Sequence, residues 1–409
     1  MTDACATPGL LTLKQALAEI FTALPTAQRY ERLSLKKVRN RIAFEDIQSA
    51  IDVPSFKNSS MDGYALLAED DYTKPLTVVG TSWAGKPFTG EIKPGECIRI
   101  FTGAYLPDAC NCVVMQENVA RSDNIININN NPQLFDNIRN IGDDTKKNQT
   151  IIAKGKLLTA ADIGLLASCG IADIPVHTTL KVGFFSTGDE LVSIGSQAAL
   201  GQIFDSNRYT LHALVEQAGC TPIDMGVIAD NPEAVETALL SAATQCDVII
   251  TSGGVSVGEA DFITEVLANI GKINLWKIAI KPGKPLVFGS IKKAAFFGLP
   301  GNPVSVMVTF QQVVLPALQK MMGLNHQHTP ITLQANASET IYKQPGRMEF
   351  QRGFVENING LLIVSSTGGQ GSHMLSSMSA ANCFIVLEQD AGNVDKGQTV
   401  TIQLLGNSL

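Results

Sequence analysis

From Leu180 to Met322 near-continuous apolar runs alternate with helical stretches, and this pattern constrains the fold more than any other feature of the chain. KVGFFS reads as a buried strand, followed by a helix from Ser206 to Ala218 that Gly219 stops. A strand near Ile223 to Ile228 comes next, then a helix opened by Asn231 as cap and Pro232 in its first turn. CDVIIT is a second buried strand, residues 260 to 270 read as a helix, and AAFFGLP with PVSVMVTFQQVVLPALQKMM completes the set. Strands this apolar, separated by helices, predict a parallel sheet covered on both faces. Ligands of such sheets bind beyond the carboxyl ends of the strands, and there the Gly-rich polar motifs of this sequence fall.

The flanking stretches differ. Residues 1 to about 50 read as helical, with an amphipathic helix over residues 12 to 24 capped by Thr12. A second short helix over residues 157 to 170 uses Thr159 as its cap and Gly170 as its stop. Between them Leu76–Val79, Cys97–Phe101, Cys112–Glu117 and Ile125–Ile128 are short strand-like runs separated by Gly, Pro and Asn clusters. Residues 327 to 409 return to alternating runs with an Asn359-Gly360 turn, the pattern of a small β-barrel or sandwich. The expected organisation is an α/β multidomain chain. Residues 1–50 and 140–179 would form a discontinuous helical linker domain and 51–139 an inserted β-rich domain. A central parallel-sheet α/β domain would span 180–326, and a C-terminal β-barrel 327–409. A length of 409 residues suits two to four such units.

An apolar fraction of 45% with 17% charged residues fits an ordinary folded protein. The apolar runs are too short and broken for a membrane span, and Asp3 with the helical spacing after it does not read as a signal peptide. Eight cysteines without a CxxC predict reduced thiols in a reducing compartment, the cytoplasm. Cys110 and Cys112 would share one face of a strand, but no His or further Cys stands near to complete a zinc shell. His326 and His328 read as a solvated pair in a linker. A net charge of −7 with no basic stripe argues against nucleic-acid binding, so an anionic substrate would require a local cluster of Lys and Arg.

Three strand ends carry chemistry. VGFFSTGDEL places Asp189 and Glu190 after a buried strand; DVIITSGGVSVGEADF places Ser252, Gly253 and Gly254 after another, with Glu259 and Asp261 following. FFGLPGNPVS sets Gly298, Gly301 and Asn302 before a helix whose first turn holds Ser305. Glycines admit close backbone approach, helix starts attract phosphate oxygens, and nearby carboxylates suit Mg²⁺. WKIAIKPGKPLVFG supplies the positive charge: Lys277 and Lys281 share a face of an extended segment, and a turn stiffened by Pro282, Gly283 and Pro285 brings Lys284 back towards them.

VPSFKNSSMDGYA, IRIFTGAYLP, FFSTGDELV, GQIFDSNRYTL, TSGGVSVGEADF, IAIKPGKPL, GLPGNPVSVMVTF and GRMEFQRG resemble, in order, the motif series of the MoeA family, which recurs in the E domain of gephyrin. They run from about residue 51 to 388. The resemblance implies a molybdopterin molybdenumtransferase that takes molybdate and adenylylated molybdopterin, uses Mg²⁺ or another divalent cation, and releases AMP and molybdenum cofactor. It implies Glu190 and Asp261 as metal ligands, with Asp189 and Asp230 as second candidates. Ser252, Gly253 and Gly254 would contact the pyrophosphate or nucleotide. Lys281, Pro282, Lys284, Ser305, Arg352 and Ser372 would form the molybdate pocket, with Lys277 beside them. Asp62, Thr102 and Asp144 match functional positions, and Arg139 and Gly142 belong to the same string as Asp144. The family's β-rich part reaches the cleft of the other subunit, which implies a homodimer with a shared site and a transient contact with the adenylyltransferase that supplies the pterin.

Lys57 stands where the family usually has Asp, Ser60 replaces a usual Ala, and Asn148 a usual Gly. Asp108-Ala109-Cys110-Asn111-Cys112 departs from the usual Gly-Ala-Asp-Ala run. Two other readings compete: an adenylyltransferase, which would not need KPGKP or GRMEFQRG, and a non-catalytic scaffold, which would not need the charged site positions.

Overall fold

The computed structural model describes residues 10–25, 29–254, 262–325 and 330–406. A seven-stranded sheet forms its centre, in the order Leu10–Leu11, Lys272–Ile278, Pro285–Ile291, Ala294–Leu299, Val248–Ser252, Lys181–Thr187, Thr221–Ile228. The last four strands run parallel, as their apolar sequences predict. Pro285–Ile291 is antiparallel to both neighbours, so the sheet is mixed rather than parallel. The cause is local. Ile291 pairs with Ala294 across a two-residue turn in which Lys292 has φ 53°, and so short a link forces the chain to reverse.

Both faces are covered. Phe184, Ile250 and Phe297 pack under the helices Leu13–Ala23, Ser206–Gln217 and Leu315–Met321. Phe185, Ile249 and Phe296 meet Leu239 of Pro232–Gln245 and Leu267 of Phe262–Ile270 on the opposite face. Burying each such Phe contributes about 1.5–3 kcal/mol. The caps read from sequence are present: Thr12 accepts from the Gln15 N–H and Asn231 from that of Ala234. Between Pro303–Thr309 and Leu315–Met321 the helix widens to a π turn over Phe310–Val314, just before Pro316. Proline lacks the N–H of a regular helix and crowds the preceding turn, which a wider turn relieves.

Among the described residues, the helical reading of the first 50 holds for Leu13–Ala23 and a three-residue 3-10 turn at Leu35–Lys37 and nowhere else. Tyr30–Ser34 is a strand, antiparallel to Asp173–His177, and Ile47–Gln48 pairs with Thr150–Ile152. Their partners lie more than 100 residues away, so no local signal announced them. Val38, Ala43, Leu158, Leu166 and Val176 form a core there. The Leu13–Ala23 helix packs elsewhere, placing Ala16 and Ile20 against the central sheet's layer.

The β-rich part is a six-stranded sheet: Cys110–Met115, Gly63–Leu67, Glu96–Ile100, Leu76–Ser82, Ile125–Ile128, Val119–Ser122. Gly63–Leu67 is an interior strand that overlaps the MDGYA motif. A Cβ on Gly63 would stand 1.9 Å from the Val114 carbonyl oxygen, so only glycine fits. Cys110 and Cys112 do not share a face. Leu66 pairs with Cys112 and Leu67 with Cys110, leaving Asn111 as a bulge that turns the two thiols into separate cores.

At the C-terminus Met348–Ile358 pairs with both Leu361–Ser366 and Cys383–Leu387, closing a β-barrel through Thr332–Ala337 and Thr399–Leu404. Asn359 and Gly360 make its tight turn with φ 54° and 87°. Among the described residues no helix is long and apolar enough to cross a membrane.

Candidate functional site

The three Gly-bearing strand ends meet. The hydroxyls of Ser186 and Ser252 lie 2.9 Å apart at the ends of adjacent strands. Gly253 donates its N–H to the Leu299 carbonyl at 3.1 Å, and a Cβ on Gly301 would lie 3.7 Å from the Gly253 Cα. Gly253 and Gly254 have φ 91° and 65°, and a Cβ on Gly254 would meet Ile263 Cδ1 at 2.5 Å and Thr187 Oγ1 at 3.1 Å. Both glycines are therefore dictated by conformation and by space.

Asp205 ties this floor together, a role not recognised from sequence. It caps the helix Ser206–Gln217, is 1% exposed, and accepts from Ser186 Oγ at 3.1 Å while pairing with Arg208 Nε at 3.3 Å. Its signal was available: an Asp directly before a helix, within GQIFDSNRYTL. The neighbouring Asn207 donates to the Gly301 carbonyl at 2.7 Å and links the third loop.

Asp189 and Glu190 follow the strand Lys181–Thr187, and Asp230 follows Thr221–Ile228. The Asp230 carboxyl is pushed above the ordinary carboxylate range by burial first, then by the charges of Asp189 and Glu190. The three acids thus feel one another across the loops. Among the described residues no three acidic, His or Cys side chains stand close enough to share one metal ion, and Asp261, like Glu259, lies outside those residues.

The lysine segment is a hairpin whose turn brings Lys284 back, as its sequence predicts. Lys277 pairs with Pro285, and Ile278 donates to the Lys284 carbonyl at 2.8 Å. Lys277 is exposed, Pro282 and Lys284 are half-buried, and Lys281 extends to Glu349 of the barrel, Nζ to Oε1 3.1 Å. Gly283, at φ 108°, packs on Thr309 of the helix that also carries Ser305. Ser305 is buried, and the adjacent Val304 N–H donates to the Ser372 carbonyl at 3.1 Å. Lys281, Ser305 and Ser372 thus belong to three segments joined at one helix, the 372 loop at its first turn and the lysine turn at Thr309, its last residue.

Arg352 is held inside the protein. It is 1% exposed, and its guanidinium donates to the carbonyls of Gly369 (2.9 Å), Gln370 (3.2 Å) and Gly371 (3.0 Å) and to Ser377 Oγ (3.2 Å). Four of the five N–H groups of an arginine are thereby engaged within the protein. Arg352 shapes the loop that ends at Ser372 and does not reach out as a free cation.

On the β-rich part, Asp62 Oδ1 accepts the Thr102 N–H at 2.8 Å and its hydroxyl at 2.9 Å. Those two bonds, backbone first, hold the Asp62 carboxyl below its ordinary range. Asp144 and Arg139 are exposed, and Gly142 takes φ 73°. Among the described residues no hydrogen bond or ion pair links Asp62, Thr102, Arg139 or Asp144 to the loops of the central sheet within this chain.

The chain is similar to known proteins over nearly its whole length. Residues 11–170 match the MoeA N-terminal region (domain I and II), 183–320 a probable molybdopterin binding domain, and 334–405 the MoeA C-terminal region (domain IV). A molybdopterin molybdenumtransferase of Haemophilus influenzae is 47% identical over 96% of this chain and 98% of its own. Gephyrin of Dictyostelium discoideum is 33% identical over 92% of this chain and 59% of its own. The crystal structure of a molybdopterin biosynthesis MoeA protein from Pyrococcus horikoshii, 30% identical, superposes with a TM-score of 0.83 over 97% of this chain and all of that one.

Proposed function

Because the chain belongs to the MoeA family and is a molybdopterin molybdenumtransferase of molybdenum cofactor biosynthesis, we propose that the meeting of its three Gly-bearing loops beside the Lys281 turn is where molybdate and adenylylated molybdopterin react. The observation that carries this reading is the packing of Gly253 and Gly254 against Thr187 and Ile263, with Gly301 beside them. Side chains are excluded there, and glycine backbone N–H groups at a strand end can approach a pyrophosphate closely. Ser252, Gly253 and Gly254 hold the nucleotide end. Lys281 and Lys284, with Ser305 and Ser372, take the tetrahedral oxyanion, and exposed Lys277 adds charge beside them. Arg352 acts on this pocket through the 369–372 loop.

The acids beside the loops are the oxygen donors a hard divalent cation takes, and burial first, then the charges of Asp189 and Glu190, disfavour an unpaired Asp230 carboxylate. Glu190 and Asp261 would hold magnesium, with Asp189 and Asp230 in support; when bound, it supplies Lewis-acid polarisation of the anhydride. Cleavage of that anhydride releases AMP. Asp62, Thr102 and Asp144 serve the cleft of a second copy, which makes the active unit a homodimer. The partner that adenylylates the pterin meets this cleft transiently. The seven described cysteines are all buried and free, which supports a reducing, cytoplasmic setting.

Crystals soaked with AMP and molybdate test the reading. AMP phosphate should lie on the Ser252–Gly254 turn and molybdate between Lys281 and Ser305. Density for both ligands away from these loops would refute it.

A further inference from the structure

We propose that Glu349 is the positioning residue of the oxyanion pocket, holding the Lys281 ammonium at the rim of the cleft. This rests on the assignment of Lys281 to molybdate binding. Ile280–Lys281 runs parallel to Met348–Glu349, so the lysine turn is stitched to the barrel's longest strand, with the Met348 N–H donating to the Ala279 carbonyl at 2.8 Å. The Glu349 side chain is only 4% exposed, whereas that of Lys281 is 47% exposed. Glu349 is therefore the fixed member of the pair and Lys281 the mobile one.

The carboxylate is held from behind. Its Oε2 accepts Gln351 Nε2 at 3.0 Å, and the same amide nitrogen donates to the Tyr342 carbonyl at 2.8 Å. Lys343, 5% exposed, is caged by the carbonyls of Gln344, Gln389 and Ala391 at 3.2, 3.1 and 3.0 Å; burial lowers its pKa, and the charge of Glu349 opposes that shift. A buried carboxylate persists only when paired; the ion pair here is with Lys281, and Lys343 adds positive charge nearby. Its other oxygen, Oε1, takes one of the three N–H groups of Lys281. The remaining two are left at a defined place, on a side chain that would otherwise sample many rotamers.

Electrostatics alone predicts the opposite of positioning. If Glu349 merely competed with molybdate for Lys281, removing it would tighten molybdate binding. Positioning predicts that Glu349→Ala raises the KM for molybdate about tenfold with kcat changed less than about threefold, since freeing a lysine's rotamers costs roughly that much. Glu349→Asp keeps the charge, and the flexible lysine stem follows it, so most of the affinity should return. In a Lys281→Ala background, Glu349→Ala should add nothing further to the molybdate KM, because both changes remove the same interaction. Thermal unfolding and AMP binding report whether each variant is folded. A lower or unchanged KM in Glu349→Ala or an additive double variant overturns the proposal; should Glu349→Ala fail to fold, a KM in folded Glu349→Asp as high as that of Lys281→Ala does so. If Lys281→Ala itself leaves the molybdate response unchanged, the oxyanion assignment fails, and Glu349 falls with it.

Discussion

Gly283 sits so close to Thr309 that a Cβ on it would lie 2.5 Å from the threonine hydroxyl oxygen. The contact fixes the lysine turn on the helix that carries Ser305, and so joins two of the three segments of the proposed oxyanion pocket. Thr309 is fully buried within that helix.

Gly283→Ala should therefore destabilise the protein by about 1–3 kcal/mol, through the clash and through the positive φ of 108°. A chemical unfolding midpoint measures it. The same substitution should weaken molybdate binding while leaving AMP binding near normal, because the Ser252–Gly254 turn lies on other strands.

Arg352→Ala should cost about 3 kcal/mol or more, since three carbonyls and a hydroxyl lose their donor in a buried place. Arg352→Lys should recover only part of this, because one ammonium cannot reproduce the planar fork that spans Gly369 to Gly371. Limited proteolysis within residues 367–372 would accompany the loss. An Arg352→Ala protein as stable as the parent, yet deaf to molybdate, would instead make Arg352 a direct ligand.

Asp62 should titrate below its ordinary value of 3.8, and the midpoint should rise in Thr102→Val, which removes the hydroxyl but keeps the backbone donor. The sign follows from linkage. A depressed carboxyl stabilises the fold above its unfolded-state value, and the contribution is lost as pH falls through the folded value. A carbon-detected NMR titration of the Asp62 carboxyl reads this directly.

His177 is 4% exposed, and among the described residues neither ring nitrogen has a hydrogen-bond partner. Burial and then the charge of Lys154 lower its pKa from 6.5. The unfolded chain therefore binds the proton more readily, so stability falls as pH drops from about 6.5 towards the folded value. Melting curves from pH 7.5 to 5 should show that slope in the parent and a shallower one in His177→Leu. Equal slopes would remove His177 from the acid sensitivity.

The alternation after Leu180 was enough to place the parallel strands, their helices and the three Gly-bearing ends, because each buried strand and capped helix is written in consecutive residues. The turns at Asn359-Gly360 and after Ser168 were legible for the same reason. By contrast, Pro285–Ile291 was hidden inside a segment read for its lysines, and Tyr30–Ser34 depended on a partner at Asp173–His177.

The sequence by itself determined which residues carry charge, which glycines open the strand ends, and which family the motifs resemble. It could not say which cation faces the cleft. Arg352 and Lys281 look equivalent as letters, yet one is buried beneath a loop and the other reaches out from a buried glutamate. Only folding decides that, because a cation's role depends on what surrounds it, and the surroundings of Arg352 and Lys281 come from segments far apart in the chain.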